Sequence, residues 1–577
     1  MLAATLHGIT QTNMALPALN ISIQDHSRRP KPYLRVKTLK QWLIELPTAN
    51  NQKAAQLFID QVRAINQCRY PLHERIQLLD TLRPTARQLL LTLKLQTKKA
   101  IIPLSRRARD AYRLSQVLLE VMADGYKIVL NDLIARNSHK EHDALQLREA
   151  IYVAIQYLSR QLVEAYLVYA PAPAGVWHDL HQLYHYSEEC EINTLPLDDP
   201  YPDFSLPMHY TIDLAYKRIL LLALAEPHHM MQTEADDIYY LVSAWTGACH
   251  FLSADSAPVN GEYAVDMASD KPPRFISRDI TWDAVDARII DLTEVKQRLE
   301  VQLQRILRTS LDTIDHNEQQ SLVERRQRDM LLRLTEAWHG ALARGTVRHT
   351  IHNQVQLATG LSASHYYLSS GEIFTPELDE LKLKTEEIEP TVFATAYETA
   401  MQKDSFHLNK TYNIRPWWQH NTSESGAALA CTTNCENTHI KVGEAVAYRD
   451  EDEPTSHWKL GLVRWLRADP DDGIDLGIMN LANSAIPIAI KGLKGPGFGT
   501  DYFRGLLIPK QVSLQQTRSV LVPAAVYDVH SELAVNMKQR LFYIRLKSLL
   551  RSTNEFSQFT FDVLEAAPLS DVEIFIA

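Results

Sequence analysis

Asn421-Thr-Ser-Glu-Ser-Gly426 runs directly into Ala427-Ala-Leu-Ala-Cys431, a polar turn closed by glycine and followed by a short apolar run. Turn chemistry of this kind, next to a run of this length, predicts a hairpin edge leading into a β-strand. The same regime spreads outward on both sides. Short runs rich in β-branched, aromatic and small residues alternate with turn signals: QVQLA, EAVAYR, WKLGLVRWL, IDLGIMNL, IPIAIK, FRGLLIP, SVLVPAAVY, LFYIRL and FTFDVL. Strands this closely spaced predict a closed barrel or two fused barrels.

Ahead of about residue 345 the pattern is helical. Leu147, Ile151, Ile155, Leu158, Leu162 and Tyr166 step by three and four and keep one stripe on one helix face. Tyr169 to Gly175 breaks that helix, and Val176 starts another. Trp177, Leu180 and Tyr184 carry the offsets of the tetratricopeptide signature, with His181 where glycine is usual. No second copy follows, so the expectation is a stack of paired helices, with a TPR-like solenoid as one form of it. Pro71, Pro84, Pro103 and Pro227 are expected at turns or helix starts. Leu292, Val295, Leu299, Leu303 and Ile306 form a second stripe, read as a helix docked on its own chain in preference to a coiled-coil seam.

At 577 residues the chain exceeds a single core, which stops growing near ~250 to 300 residues. The expected division is a flexible tail over 1–34 and a helical domain over 35–340, with a linker near 253–277 and a long helix near 282–312. A β-barrel follows over 341–500, and further strands over 501–577. The acidic segment 372–404 is read as an insertion into the barrel. A formal charge of −9 argues against a general DNA or RNA binder, whose affinity depends on neutralising phosphates. The five cysteines, Cys68, Cys190, Cys249, Cys431 and Cys435, are an odd number scattered along a long chain, which predicts a reducing compartment. The first twenty residues lack a signal-peptide pattern, and no stretch approaches the ~18 apolar residues of a membrane span. Cytoplasmic localisation is expected.

Arg344-Gly-Thr-Val-Arg348 stands between the last helical segment and the first strand. Such a pair is cheap alone, since it recurs at Arg109/Arg113 and Arg274/Arg278. Joined to Asn421-x-Ser423-x-x-Gly426, and to the runs Gly443-Glu-Ala-Val-Ala-Tyr and Leu460-Gly-Leu-Val-Arg-Trp, it resembles the two signatures of the PilZ family, RxxxR and (D/N)xSxxG, in their expected order. The resemblance implies a multidomain α + β protein, an N-terminal helical domain followed by a PilZ-type β-barrel with additional strands. It implies a receptor for the bacterial second messenger cyclic di-GMP, gripped by Arg344, Arg348, Asn421, Ser423 and Gly426, with no catalytic residue and no cofactor beyond the ligand. In the family an intercalated dimer of the ligand binds this surface, and closure of the arginine segment changes how the barrel meets its neighbour. Here that change would reach an unidentified protein partner through the helical domain, in motility, adhesion or exopolysaccharide control. The alternative is a ligand-independent interaction scaffold with a degenerate barrel. The long separation of Arg348 from Asn421 departs from the family pattern and requires 372–404 to be inserted.

The residue types suit the ligand. A guanidinium can meet guanine O6 and N7 with two parallel donors or stack on the ring, whereas lysine lacks the planar fork. Asn421 and Ser423 offer short polar groups, and Gly426 permits close backbone approach. Left alone, the arginines would be a solvated helix end and the turn a plain hairpin. Two metal candidates are weaker. His178, His181 and His185 share a helix face without a third ligand type, and a polar helix surface is the preferred reading; Cys431, Cys435 and His439 lack a fourth ligand. Gly495-Pro-Gly-Phe-Gly499 lacks the Lys-Ser/Thr of a phosphate loop and is read as a connector between barrel halves.

Overall fold

Helices dominate as far as residue 241, as the periodicity of three and four requires. The structure is a computed structural model. It describes residues 18–21, 24, 34–98, 100–136, 141–200, 210–252, 259–276, 286–312, 318–340, 349–372, 374, 412, 414–423, 425–431, 439–451, 457–469, 473–495, 497–498, 501–510, 517–524, 526–537, 540–553 and 555–566. The chain divides into two units, one from residues 1–309, 330–344 and 468–470, the other from 310–329, 345–467 and 471–577.

The first unit is a bundle: α1 (Val36–Ile44), α2 (Asn51–Gln67), α3 (Leu72–Thr97), α4 (Arg106–Arg136), α5 (Glu141–Leu167), α6 (Val176–Glu189), α7 (Ile212–Leu224) and α8 (Glu234–Leu241). The Leu147 to Tyr166 stripe lies on α5, but burial goes beyond a stripe: Val121 to Leu130 of α4 and Gln161 to Leu167 of α5 are buried on every face. Helices buried all round are the centre of a bundle. Helices of 26, 31 and 27 residues in α3 to α5 are too long for the helix pair of a ~34-residue repeat. The Trp177 signature therefore sits in a non-repeating bundle, with Trp177, Leu180 and Tyr184 buried in its core.

Three expectations are corrected here. Pro84 lies inside α3, where its missing N–H costs one helical hydrogen bond while Leu82 and Ala86 on either side stay buried. The expected linker 253–277 holds β2 (Tyr263–Asp266) and β3 (Arg274–Phe275), which join β1 (His250–Leu252) and β4 (Ala287–Asp291) in an antiparallel sheet of order β1-β4-β2-β3. Strands this short, flanked by Gly, Pro and Asp, read locally as loop. His181 is not on a polar surface. It is buried, with Nε2 2.9 Å from the carbonyl of Lys271 and Nδ1 2.7 Å from the Tyr216 hydroxyl. The carbonyl can only accept, so Nε2 carries the proton and Nδ1 accepts from tyrosine. Burial holds this imidazole down at about 4. Among the described residues no group of His, Cys, Asp and Glu is arranged to hold a metal.

After β4 the Asp291 carboxylate accepts from the N–H and hydroxyl of Thr293 at 2.9 and 2.6 Å and starts α9 (Thr293–Asp312). Val295 and Leu299 of α9 and Leu331, Leu334 and Trp338 of α10 (Glu318–Trp338) enter the bundle core. The Leu292 to Ile306 stripe is thus docked on its own chain. No helix among the described residues is long and apolar enough to cross a membrane.

The second unit contains two closed barrels. The first consists of β5 (His349–Thr359), β6 (Arg415–Ser423), β7 (Gly426–Cys431), β8 (Ala445–Asp450), β9 (Lys459–Asp469) and β10 (Gly473–Ala482), in the order β10-β7-β6-β5-β8-β9. Between β5 and β6 lies α11 (Leu361–Leu368). The second barrel consists of β11 (Ile486–Lys494), β12 (Phe503–Ile508), β13 (Ser519–Pro523), β14 (Glu532–Met537), β15 (Arg540–Ser552) and β16 (Phe556–Ala566), in the order β11-β12-β13-β16-β15-β14. It therefore starts at Ile486, ahead of residue 501. Gly495 to Gly499 connects β11 to β12 within it, and the link between the barrels is the short turn at 483–485. Leu460, Leu462 and Leu481 of the first barrel and Leu506, Leu521 and Phe556 of the second share one apolar cluster, so the barrels are fused through a common core.

Candidate functional site

The (D/N)xSxxG signature closes the hairpin of β6 and β7. Asn421 and Ser423 are the last residues of β6, and Gly426 is the first of β7. Ser423 pairs with Gly426, and its hydroxyl lies 3.3 Å from the Gly426 carbonyl, to which it can donate. The Ser425 carbonyl accepts from Asn480 N–H at 2.9 Å, which ties the turn to the end of β10. Gly426 is required by packing. A β-carbon there would lie 2.0 Å from the carbonyl oxygen of Ile478 on β10, so the close approach that glycine permits is to the neighbouring strand.

Asn421 sits in a row that crosses four strands: Thr350 on β5, Asn421 on β6, Ala428 on β7 and Gly477 on β10 are successive partners. The next row holds buried Leu429 and Leu476, and side chains of adjacent rows point to opposite faces. Asn421 therefore stands on the outer face, over a floor of small residues. Trp465 of β9 borders that floor, since a β-carbon on Gly477 would lie 1.9 Å from its indole nitrogen. The floor was not among the expected site residues; small residues in alternate strand positions were its only sequence signal.

Arg344 and Arg348 lie outside the described residues, as do Cys435 and most of the segment 372–404. Their chain neighbour is informative. His349, next in sequence to Arg348, pairs with Thr422 between Asn421 and Ser423. The separation in sequence is also explained: β5 and β6 are antiparallel neighbours, so residues 360–414 are an excursion between two adjacent strands. Shifts of register on both strands, between Thr350 and Asn353 and between Gln419 and Asn421, put a bulge just before this end of the sheet, where bulges re-aim side chains. Of the other arginine pairs with this spacing, Arg109 and Arg113 lie on α4 and Arg274 on β3, elements of the first unit.

A helical domain followed by a barrel of PilZ type, with its polar hairpin beside the start of the first barrel strand, defines a PilZ-domain receptor protein with an N-terminal helical domain. Family models match along the chain: "Cyclic-di-GMP receptor FimW, N-terminal domain" over residues 37–256, "Cyclic-di-GMP receptor FimW, middle PilZ domain" over 263–416 and 378–487, and "FimW C-terminal beta-barrel domain" over 488–564. The cyclic-di-GMP receptor FimW of Pseudomonas aeruginosa is 26% identical over 565 residues, covering 91% of this chain and 90% of the relative. The chain belongs to the FimW family of PilZ-domain proteins. The boundary between the middle and C-terminal matches falls at the start of β11.

Proposed function

We propose that this chain is a bacterial receptor for cyclic di-GMP, which binds on the outer face of the first barrel where β5 begins and β6 ends. Arg344 and Arg348 hold guanine and phosphate, Asn421 and Ser423 meet the ligand from the hairpin, and Gly426 keeps that hairpin against β10. The carrying observation is the pairing of His349, the residue that follows Arg348 in sequence, with Thr422 of the strand that presents Asn421 and Ser423. The relative's description as a cyclic-di-GMP receptor supports the same ligand. Two guanidiniums at the strand's start can form bidentate bonds to guanine or phosphate and stack on the base.

The signal passes through the helical domain to a protein partner, because a ligand acts only by binding one arrangement of the protein better than another. The reading needs no bond made or broken and no role in binding DNA or RNA. Free thiols at Cys68, Cys190, Cys249 and Cys431 suit the cytoplasm. Isothermal titration of the full chain with cyclic di-GMP tests the proposal. Wild type should bind saturably, and Arg348→Ala should weaken binding by about tenfold or more, the value of a charge-assisted hydrogen bond. No binding by wild type, or equal binding by Arg348→Ala, returns the barrel to the scaffold reading.

A further inference from the structure

In the helical unit Asn20 is held by its main chain. Its N–H donates to Asp179 Oδ1 at 2.9 Å, its side-chain amide donates to the same oxygen at 3.1 Å, and its carbonyl accepts from Lys127 Nζ. Lys127 is also paired with Asp179 at 2.8 Å and with Asp124 at 2.7 Å, and all three side chains are buried. A buried charge pair that grips an N–H and a C=O of one residue recognises main chain, and the Asn20 side-chain amide adds one bond to it.

Beside this clamp runs a cavity of about 710 Å3, lined by Ile21, by Tyr112, Gln116 and Glu120 of α4, and by the loop 170–175. That is the size of a built ligand site. Its polar lining joins Lys127 and the amide of Gln161 to a set of acceptors. Gln116 Oε1 is buried without a partner, and Glu120 and Asp124 follow it at four-residue steps, so a row of acceptors runs along one helix face toward the clamp. Burial and the neighbouring Asp124 raise the Glu120 carboxyl against the pull of Arg63 and Lys127, a pull to which a ligand's cation would add. Among the described residues of the segment carrying Asn20, Leu19 packs partly on the core and Gln24 reaches the Asn66 carbonyl at 3.4 Å.

We propose that Lys127 and Asp179 are the main-chain clamp of a peptide groove that Asn20 fills as a displaceable strap, and that its partner is an extended segment with a lysine or arginine beside the clamped residue. The proposal is independent of ligand binding at the barrel.

Two measurements on the full-length chain test it. In hydrogen exchange, the Asn20 amide should exchange roughly a hundredfold faster than those of Val121 to Leu130, by local opening; exchange at the rate of α4 would make the strap a permanent part of the fold and overturn the proposal. In fluorescence anisotropy, a labelled peptide copying residues 14–27 with Ile21→Arg should bind saturably, and more tightly than the unaltered copy. Asp179→Asn in the protein should weaken both peptides by about tenfold or more. Glu120→Gln, outside the clamp, should erase the preference for arginine, which keeps the test open if Asp179→Asn loosens the bundle. Absence of saturable binding, or no preference for the arginine peptide, overturns the proposal.

Discussion

A β-carbon on Gly426 would lie 2.0 Å from the Ile478 carbonyl, and a strand backbone cannot step aside as the end of a flexible side chain can. Gly426→Ala should therefore cost about 1–3 kcal/mol, as overpacking does, and weaken ligand binding by displacing the hairpin. Ser423 differs: its hydroxyl faces the turn, 3.2 Å from Ser425 Oγ and 3.3 Å from the Gly426 carbonyl. Ser423→Ala should leave the melting temperature within about one degree, since substitutions away from buried features change stability by ~0.5 kcal/mol or less, yet reduce affinity for cyclic di-GMP. Melting curves and titrations of the two variants check this: a normal melting temperature for Gly426→Ala would refute the packing account. The signature was readable as spacing, but half its meaning was not, because the demand on Gly426 comes from β10, some fifty residues along the chain. His181 makes the same point. Its place beside two other histidines suggested a surface, while its burial depends on Tyr216 and on the Lys271 carbonyl, which no local pattern reveals.

At the scale of elements, most barrel strands were legible because apolar alternation is imposed locally by a half-buried pleat. β6 and β14 were not. β6 reads Arg-Pro-Trp-Trp-Gln-His-Asn-Thr-Ser, with proline and six polar residues in nine, and only its partners β5 and β7 make it a strand. The small sheet of the helical unit was hidden for a related reason, since strands of two to five residues carry too little periodicity. The turn before β8 adds a titrating group to the fused barrels. Glu444 is buried, its Oε2 accepts from Lys441 N–H at 3.1 Å, and Lys441 Nζ reaches Glu555 of the second barrel at 2.9 Å. Burial, with the like charge of Glu555, pushes Glu444 up to about 8 against the pull of Lys441. A carboxyl raised on folding contributes its full stability below its unfolded value of 4.5 and loses it as pH rises through 8. Wild type should therefore lose stability on the order of a few kcal/mol between those limits. Glu444→Gln, which keeps an acceptor for Lys441 N–H, should flatten this part of the profile of denaturant midpoint against pH; an unchanged slope would place Glu444 in water.

For the whole molecule, two separate sets of cores matter. The bundle core draws on the helices, the small sheet, α9 and α10, whereas the barrels rest on their own clusters. The sequence marked this change of regime near residue 345 through a switch of period, which is why fold class was readable when the linker and the exact extent of each barrel were not. Units with separate cores need not unfold together, so calorimetry of the full chain should resolve more than one transition. On the proposed function cyclic di-GMP binds the native state alone, and at a hundred times its dissociation constant it should add about 2.7 kcal/mol to whatever unfolds with the site. The barrel transition should rise accordingly, and Arg348→Ala should hold it in place. A receptor that signals through its helical domain must also alter the energy of that domain. The second transition should therefore move with ligand in wild type, and remain still in Arg348→Ala. Movement confined to the barrel would keep the ligand and refute transmission through the helices.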